Sequence, residues 1–224
     1  MSAVTGTWVV VGANRGIGLE LCTHLKNRGE TVVAVCRSGS EPLRALGVEV
    51  VEGVDVTNQD SVAELARRLT GRSIDVLVAV AGVLVRDTLE ALDLDVVRDQ
   101  IEVNALGPLR VVSSLLPNLR SGSKVALITS RMGSLADNGS GSYYGYRMSK
   151  AALNMAGKSL SIDLKGRGIA VCLLHPGFVR TRMTGGNGDV EPDVAAGRLL
   201  QRIDGLTLEE SGAFWHANGE RLPW

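Results

Sequence analysis

Six short apolar runs set the rhythm of this chain: Thr7 to Val11, Thr31 to Cys36, Val48 to Gly53, Asp75 to Ala79, Lys124 to Thr129 and Ile169 to Leu174. Their length is that of β-strands, and most are apolar at successive positions, as strands covered on both faces must be. Between them lie stretches with apolar residues at helical spacing: Gly16 to Asn27, Asn58 to Leu69, a long one from Asp93 to Leu116, and Tyr143 to Lys165. Strands alternating with helices predict a parallel sheet with right-handed crossovers and helices on both sides. The fold class expected is therefore α/β, a doubly wound parallel sheet. The stretch Met183 to Asp193, rich in Gly, Asn and acids, is expected to be a mobile loop.

Composition narrows this further. At 224 residues, 45% hydrophobic and 21% charged, the chain has enough apolar material for one core, and residues 1–224 are expected to form a single domain. Lys plus Arg and Asp plus Glu are each 24, so no basic field favours nucleic acid or an anionic membrane. The longest uncharged apolar run, Val76 to Val85, is half the ~20 residues needed to span a bilayer. The amino terminus enters an apolar strand at Trp8 without a basic region and cleavage site, which argues against a secretory signal and for a cytoplasmic protein. Cys22, Cys36 and Cys172 are odd in number and set within apolar elements, so they are expected to be reduced, with no disulfide and no metal site.

The first run is followed at once by Gly12-Ala13-Asn14-Arg15-Gly16-Ile17-Gly18 and then by a helical pattern. Glycines in that position let the backbone turn tightly and let a pyrophosphate approach the free N–H groups of a helix amino terminus. The spacing, Gly-x3-Gly-x-Gly, differs from the Gly-x-Gly-x-x-Gly of the longer Rossmann dehydrogenases. At the end of the second run an NAD-binding fold places an acid for the ribose 2'-hydroxyl, whereas this chain has Cys36 and Arg37. Arg37, with Arg15 in the glycine loop, is suited to a 2'-phosphate, which predicts NADP(H) as the cofactor.

Tyr146 and Lys150 stand four residues apart, so a helix places them side by side. Tyr143 and Tyr144 have Arg147 and Met148 at that offset, which leaves Tyr146 as the one tyrosine with a lysine neighbour. A phenol titrates near pH ~10, and exchanging its proton near neutrality calls for a cation beside its anion.

With Gly12, Gly16, Gly18, Ser130, Tyr146 and Lys150 in this order, the chain resembles the short-chain dehydrogenase/reductases along nearly its whole length. Asp55-Val56, Asn104 and Pro176-Gly177 with Thr181 extend the match. The segment Ser130 to Ser134, the run Tyr144 to Asn154 and the ending Leu222-Pro223-Trp224 are similar to the C-factor and sniffer-type carbonyl reductase branch. In that branch the serine stands somewhat further before the tyrosine than in many relatives, which fits the 16-residue step from Ser130 to Tyr146 and favours Ser130 over Ser134.

The resemblance implies a Rossmann-like domain, hydride transfer to a small-molecule aldehyde or ketone, and Tyr146 as the proton donor. It implies that Ser130 orients the carbonyl, Lys150 tunes Tyr146 and holds the ribose, and Asn104 positions a water leading to Lys150. Asn14, Ile17, Val179, Pro176 and Gly177 join the glycines in cofactor binding. Thr181 is expected on the carboxamide, Asp55 and Val56 on the adenine, and Gly82 on the inner ribose. The family expectation is a homo-oligomer, dimer or tetramer, and a substrate lid near 183–193. A dinucleotide-binding signalling protein of C-factor type and a 3-oxoacyl reductase stay open as alternatives. One departure stands out: where the family has Asn-Asn-Ala-Gly, this chain has Ala79-Val80-Ala81-Gly82, and the loss is expected to bear on stability or the cofactor floor. His175 is expected to be a hydrogen-bonded structural residue, and His24 and His216 to lie on the surface. Phe214, Trp215 and Trp224 are expected to pack or to support a subunit contact.

Overall fold

The strands are β1 (Thr7–Val11), β2 (Thr31–Val35), β3 (Glu49–Val51), β4 (Ile74–Ala79), β5 (Leu119–Ile128), β6 (Ala170–His175) and β7 (Phe214–His216). In the computed structural model, which describes residues 6–224, they form one sheet in the order β3-β2-β1-β4-β5-β6-β7. Every pairing is parallel. The first five residues, on which part of the amino-terminal reading rests, lie outside the described residues.

Because side chains alternate across a strand, each strand feeds two cores. Val9, Val11, Val33, Val35 and Leu77 face one side, against Val62 and Leu65 of α3 (Gln59–Arg68) and Val111, Val112 and Leu115 of α5 (Gly107–Leu115). Leu153 of α6 (Tyr144–Asp163) closes that layer. Trp8, Val10, Val32, Ala34 and Val78 face the other side, against α1 (Gly16–Asn27) and α7 (Pro192–Asp204). Residues with almost no exposure on both faces are why the strands read as unbroken apolar runs. All three cysteines are buried and free. Among the described residues no helix is long and apolar enough to cross a membrane.

The structure corrects the expected elements in three places. The predicted long helix is two, α4 (Leu94–Ile101) and α5, joined by a π-helical turn over Glu102–Leu106. The cause is Pro108, which has no N–H and whose ring clashes with the carbonyl four residues back, that of Asn104. The widened turn resolves this, with Gly107 N–H donating to the Glu102 carbonyl five residues back. Second, α7, β7 and the short α2 (Glu41–Ala45, capped by Ser40) add to the expected set. Third, the stretch expected to be a mobile loop is tied to itself. The Thr184 hydroxyl has the carbonyls of Val179, Thr181 and Asn187 all within hydrogen-bond reach, and Arg180 reaches Gly188 O at 2.7 Å and Glu191 at 2.6 Å. Its last two residues already belong to α7.

Candidate active site

At the carboxyl ends of β1, β2 and β4 lies a cavity of about 600 Å3. Its floor is the glycine loop. Gly12 and Gly16 take the left-handed φ values of 100° and 52° that glycine alone adopts freely. A Cβ on Gly12 would stand 2.5 Å from Ala81 N, and one on Gly18 would overlap the Gly12 carbonyl. The loop delivers α1 with no side-chain cap at Arg15 and no acid in its first turn, so its amino-terminal N–H groups and positive dipole end have no protein anion to meet. An open, cationic helix start over a glycine cradle fits a pyrophosphate.

Asn14, Arg15, Ile17, Arg37, Asp55, Val56, Gly82 and Thr181, the cofactor candidates of the sequence, all line this cavity. Ser38, Val83, Arg182 and Met183 line it as well and were missed. Arg37 is well exposed, with Nη1 4.0 Å from Asp55 Oδ2. Asp55 is held below the usual carboxylate range, first by the Thr57 N–H and then by the Thr57 hydroxyl and the Arg37 and Arg110 charges, against its own partial burial. Pro176, Gly177 and Val179 sit beyond the lining, at the end of β6. Gly177 has φ 98°, and Val179 pairs with Val190.

The reaction end is built differently. Tyr146, Lys150, Ser130 and Asn104 are all buried, at 7%, 5%, 6% and 0% exposure. Lys150 Nζ lies 5.7 Å from the Tyr146 ring centroid and donates to Ile128 O at 3.0 Å. It reaches the cavity wall from behind: a Cβ on Gly82 would be 3.7 Å from Nζ and 3.2 Å from Asn104 Oδ1. The Ser130 hydroxyl is near enough to the Tyr146 phenol to favour its anion, and it caps the short 3-10 turn Arg131–Gly133 by accepting from Met132 N at 3.2 Å. That turn is pressed against α6, where a Cβ on Gly133 would stand 2.6 Å from the Lys150 carbonyl carbon. Thr129 Oγ1 donates to Asn154 Oδ1 at 2.7 Å, and Asn154 Nδ2 donates to Gly133 O at 3.2 Å. These two residues, to which the sequence reading gave no role, stitch the serine strand to the tyrosine helix.

Asn104 is a clip. Its Oδ1 accepts from Val83 N at 2.8 Å, and its Nδ2 donates to Val83 O at 2.8 Å and to Ser149 Oγ at 2.9 Å. Val80 and Ala81, in the segment that lacks the usual asparagines, donate their backbone N–H groups to Val11 O, each at 2.9 Å. The loop floor is thus fixed by backbone bonds and by Asn104.

Burial sets the protonation states. It pushes the Tyr146 phenol up to about 12, only partly offset by the Ser130 hydroxyl, and pushes Lys150 down to about 8. The site therefore holds a protonated phenol beside a lysine that is still mostly cationic at neutral pH. His175 departs from expectation: its Nδ1 is buried with no hydrogen-bond partner, and its ring meets that of His216 edge-on at 4.9 Å. Burial, then the neighbouring His216, Arg131 and Lys150, push His175 down to about 3. His24 and His216 are both partly exposed; His24 bonds Asp193 at 2.7 Å, and His216 Nδ1 accepts from Asn218 N at 3.0 Å. Phe214 and Trp224 stack on each other at 5.5 Å.

The sheet order and the cradle define a dinucleotide-binding α/β protein of the doubly wound class. The short chain dehydrogenase family model matches residues 7–191, and the chain belongs to the short-chain dehydrogenase/reductase family, within its carbonyl reductase branch. It is 46% identical to 1-hydroxy-2-glutathionyl-2-methyl-3-butene dehydrogenase of Rhodococcus sp. (strain AD45), over 97% of this chain and 99% of that one. It is 48% identical to C-signal of Myxococcus xanthus over 67% of this chain and 93% of that one. Among solved structures it resembles the NADPH-bound carbonyl reductase from chicken fatty liver, with a TM-score of 0.90, 29% identity and coverage of 98% and 99% of the two chains.

Proposed function

We propose that this oxidoreductase interconverts aldehydes or ketones with alcohols using NADP(H). The observation that carries the reading is the buried set of Ser130, Tyr146 and Lys150 behind the Gly82 wall of the dinucleotide cavity. When bound, the nicotinamide supplies or accepts the hydride. Ser130 Oγ holds the substrate oxygen by a hydrogen bond, and Tyr146 delivers its phenolic proton to that oxygen. A phenol pushed up to about 12 is in the form a general acid needs at neutral pH. Lys150 stabilises the phenolate left behind and keeps donors free for the ribose, since it bonds one carbonyl. Lys150 then passes a proton to the phenolate, and a water on the second lone pair of Asn104 Oδ1 returns one from solvent to Lys150. Arg37, exposed at the ribose end, pairs with the 2'-phosphate.

The similarity to the Rhodococcus dehydrogenase favours a second reading of the substrate: an alcohol carrying a glutathionyl group, oxidised at the same site with Tyr146 as base. Oxidation of NADPH and NADH over a panel of aldehydes and ketones, with reduction of NADP+ and NAD+ by glutathionyl alcohols, decides between the two. Turnover of several unrelated ketones supports the first, and strict use of glutathione conjugates the second. Arg37→Ala is expected to weaken NADPH relative to NADH by about 10-fold, the ~1–2 kcal/mol of a charge-assisted contact. An unchanged preference refutes the 2'-phosphate assignment.

A further inference from the structure

We propose that Asp87 is a positioning residue for Tyr146, acting through the first turn of α6. The inference rests on the reading of Tyr146 as proton donor. Helix α6 starts badly on its own: its N-cap, Tyr143, has φ 55° and ψ 41° and makes no capping bond with its side chain. Ser142 before it has φ 52°, and these two are the non-glycine residues of positive φ among the described residues. Two consecutive left-handed residues with side chains are disfavoured, so contacts from elsewhere must hold the turn.

Asp87 supplies them from a segment 57 residues earlier in the chain. Its Oδ1 accepts from Tyr144 N, its Oδ2 accepts from Gly145 N at 3.0 Å, and its backbone carbonyl accepts from Tyr143 N at 3.0 Å. The carboxylate is 6% exposed, and no arginine or lysine among the described residues pairs with it. Its partners are two helix-start N–H groups and the positive end of the helix dipole. The turn has no slack against α4 either, because a Cβ on Gly145 would overlap Gln100 Nε2 and stand 3.1 Å from Val97 Cα and 3.2 Å from Asp87 Oδ2. Gly145 is packed against both Asp87 and α4, and Tyr146 is the next residue.

Asp87 also belongs to the irregular segment that leaves the cavity wall at Gly82 and Val83, where Asn104 binds Val83 and Gln100 Oε1 accepts from Val85 N at 2.9 Å. The wall beside the nicotinamide end and the helix carrying the phenol are thereby joined through one carboxylate. Displacement of a proton donor by a fraction of an ångström slows chemistry without touching cofactor affinity.

The test uses the full-length protein with NADPH, NADPH deuterated at the transferred position, and the best carbonyl substrate of the panel. In Asp87→Asn an amide N–H₂ replaces one acceptor and faces a backbone N–H. We expect kcat to fall ~10- to 10²-fold, the deuterium isotope effect on kcat to rise, and the NADPH Kd to stay within about 2-fold. A kcat and isotope effect like wild type with only a lowered Tm would overturn the proposal. So would an NADPH affinity that falls in step with kcat. If Asp87→Asn does not fold, Asp87→Ser, which keeps one acceptor, is measured against the same criteria. Tyr146→Phe is run beside it: full activity there removes the proton-donor reading itself, whereas a dead Tyr146→Phe with an unaffected Asp87→Asn removes only the role of Asp87.

Discussion

At the phosphate end of the cavity the chain offers backbone, whereas at the reaction end it offers side chains held by other side chains. The cradle is Gly12, Gly16, Gly18 and an uncapped helix start, all within one contiguous stretch. Ser130, Tyr146, Lys150 and Asn104 come instead from the turn after β5, from α6 and from the π-helical turn, and Thr129, Asn154 and Asn104 bind those pieces together. The difference teaches where each half is vulnerable. A backbone cradle tolerates changes in most side chains and fails when a Cβ intrudes. A clipped assembly loses function step by step as its clips are removed.

The largest effect is expected for Gly18→Ala. Its Cβ would overlap a carbonyl that cannot move without opening the loop, so the cost should exceed the ~1–3 kcal/mol usual for overpacking. Calorimetry and NADPH fluorescence titration should show a large drop in Tm and no binding; near-native binding would break the contrast between the halves. Next comes Asn104→Ala, which removes the side-chain partner of the part-buried Val83 N and O and should cost about 2 kcal/mol by denaturant unfolding. NADPH affinity should fall too, because Val83 lines the cavity.

The smallest, and opposite in sign, is Lys150→Met. Burial lowers Lys150 to about 8 from 10.5, so between those pH values the unfolded chain holds more protons than the folded one. Stability from this group therefore rises with pH from about 8 to 10.5, and at neutral pH its buried charge is a cost. Replacing it by an apolar side chain should raise stability at pH 7 by about 1–2 kcal/mol, remove that rise, and abolish turnover. Unfolding curves from pH 7 to 10 check it; a destabilised variant would show that Lys150 is held by more than its one carbonyl bond. Stability gained as activity is lost would mark the lysine as kept for chemistry.

The same contrast explains what was legible in the sequence. Gly16 to Asn27 is a helix over the residues its pattern gives, and the glycine loop, Arg37 and Asp55 line one cavity, because adjacent residues carry that information. The break at Asn104 was encoded in Gly107-Pro108 but masked by an apolar spacing that continues through it. Helix α7 carries Ala195, Ala196, Leu199, Leu200 and Ile203 at helical spacing, a signal that is present in the sequence directly beside the polar loop. β7 is three residues long and exists through its pairing with β6, so no local pattern announces it. Asp87, Asn154 and Gln100 left no motif because backbone groups of distant residues are among their partners. The unsatisfied Nδ1 of His175 depends on burial that spacing does not reveal.

Tyr146 as the proton donor is the centre of the account, and single-turnover reduction of a ketone by enzyme-bound NADPH tests it without interference from product release. Tyr146→Phe removes one oxygen from a buried ring and leaves the cradle untouched. The account predicts a rate lower by ~10²- to 10⁴-fold with NADPH binding unchanged. A Tyr146→Phe enzyme that reduces the ketone at the wild-type rate would contradict it.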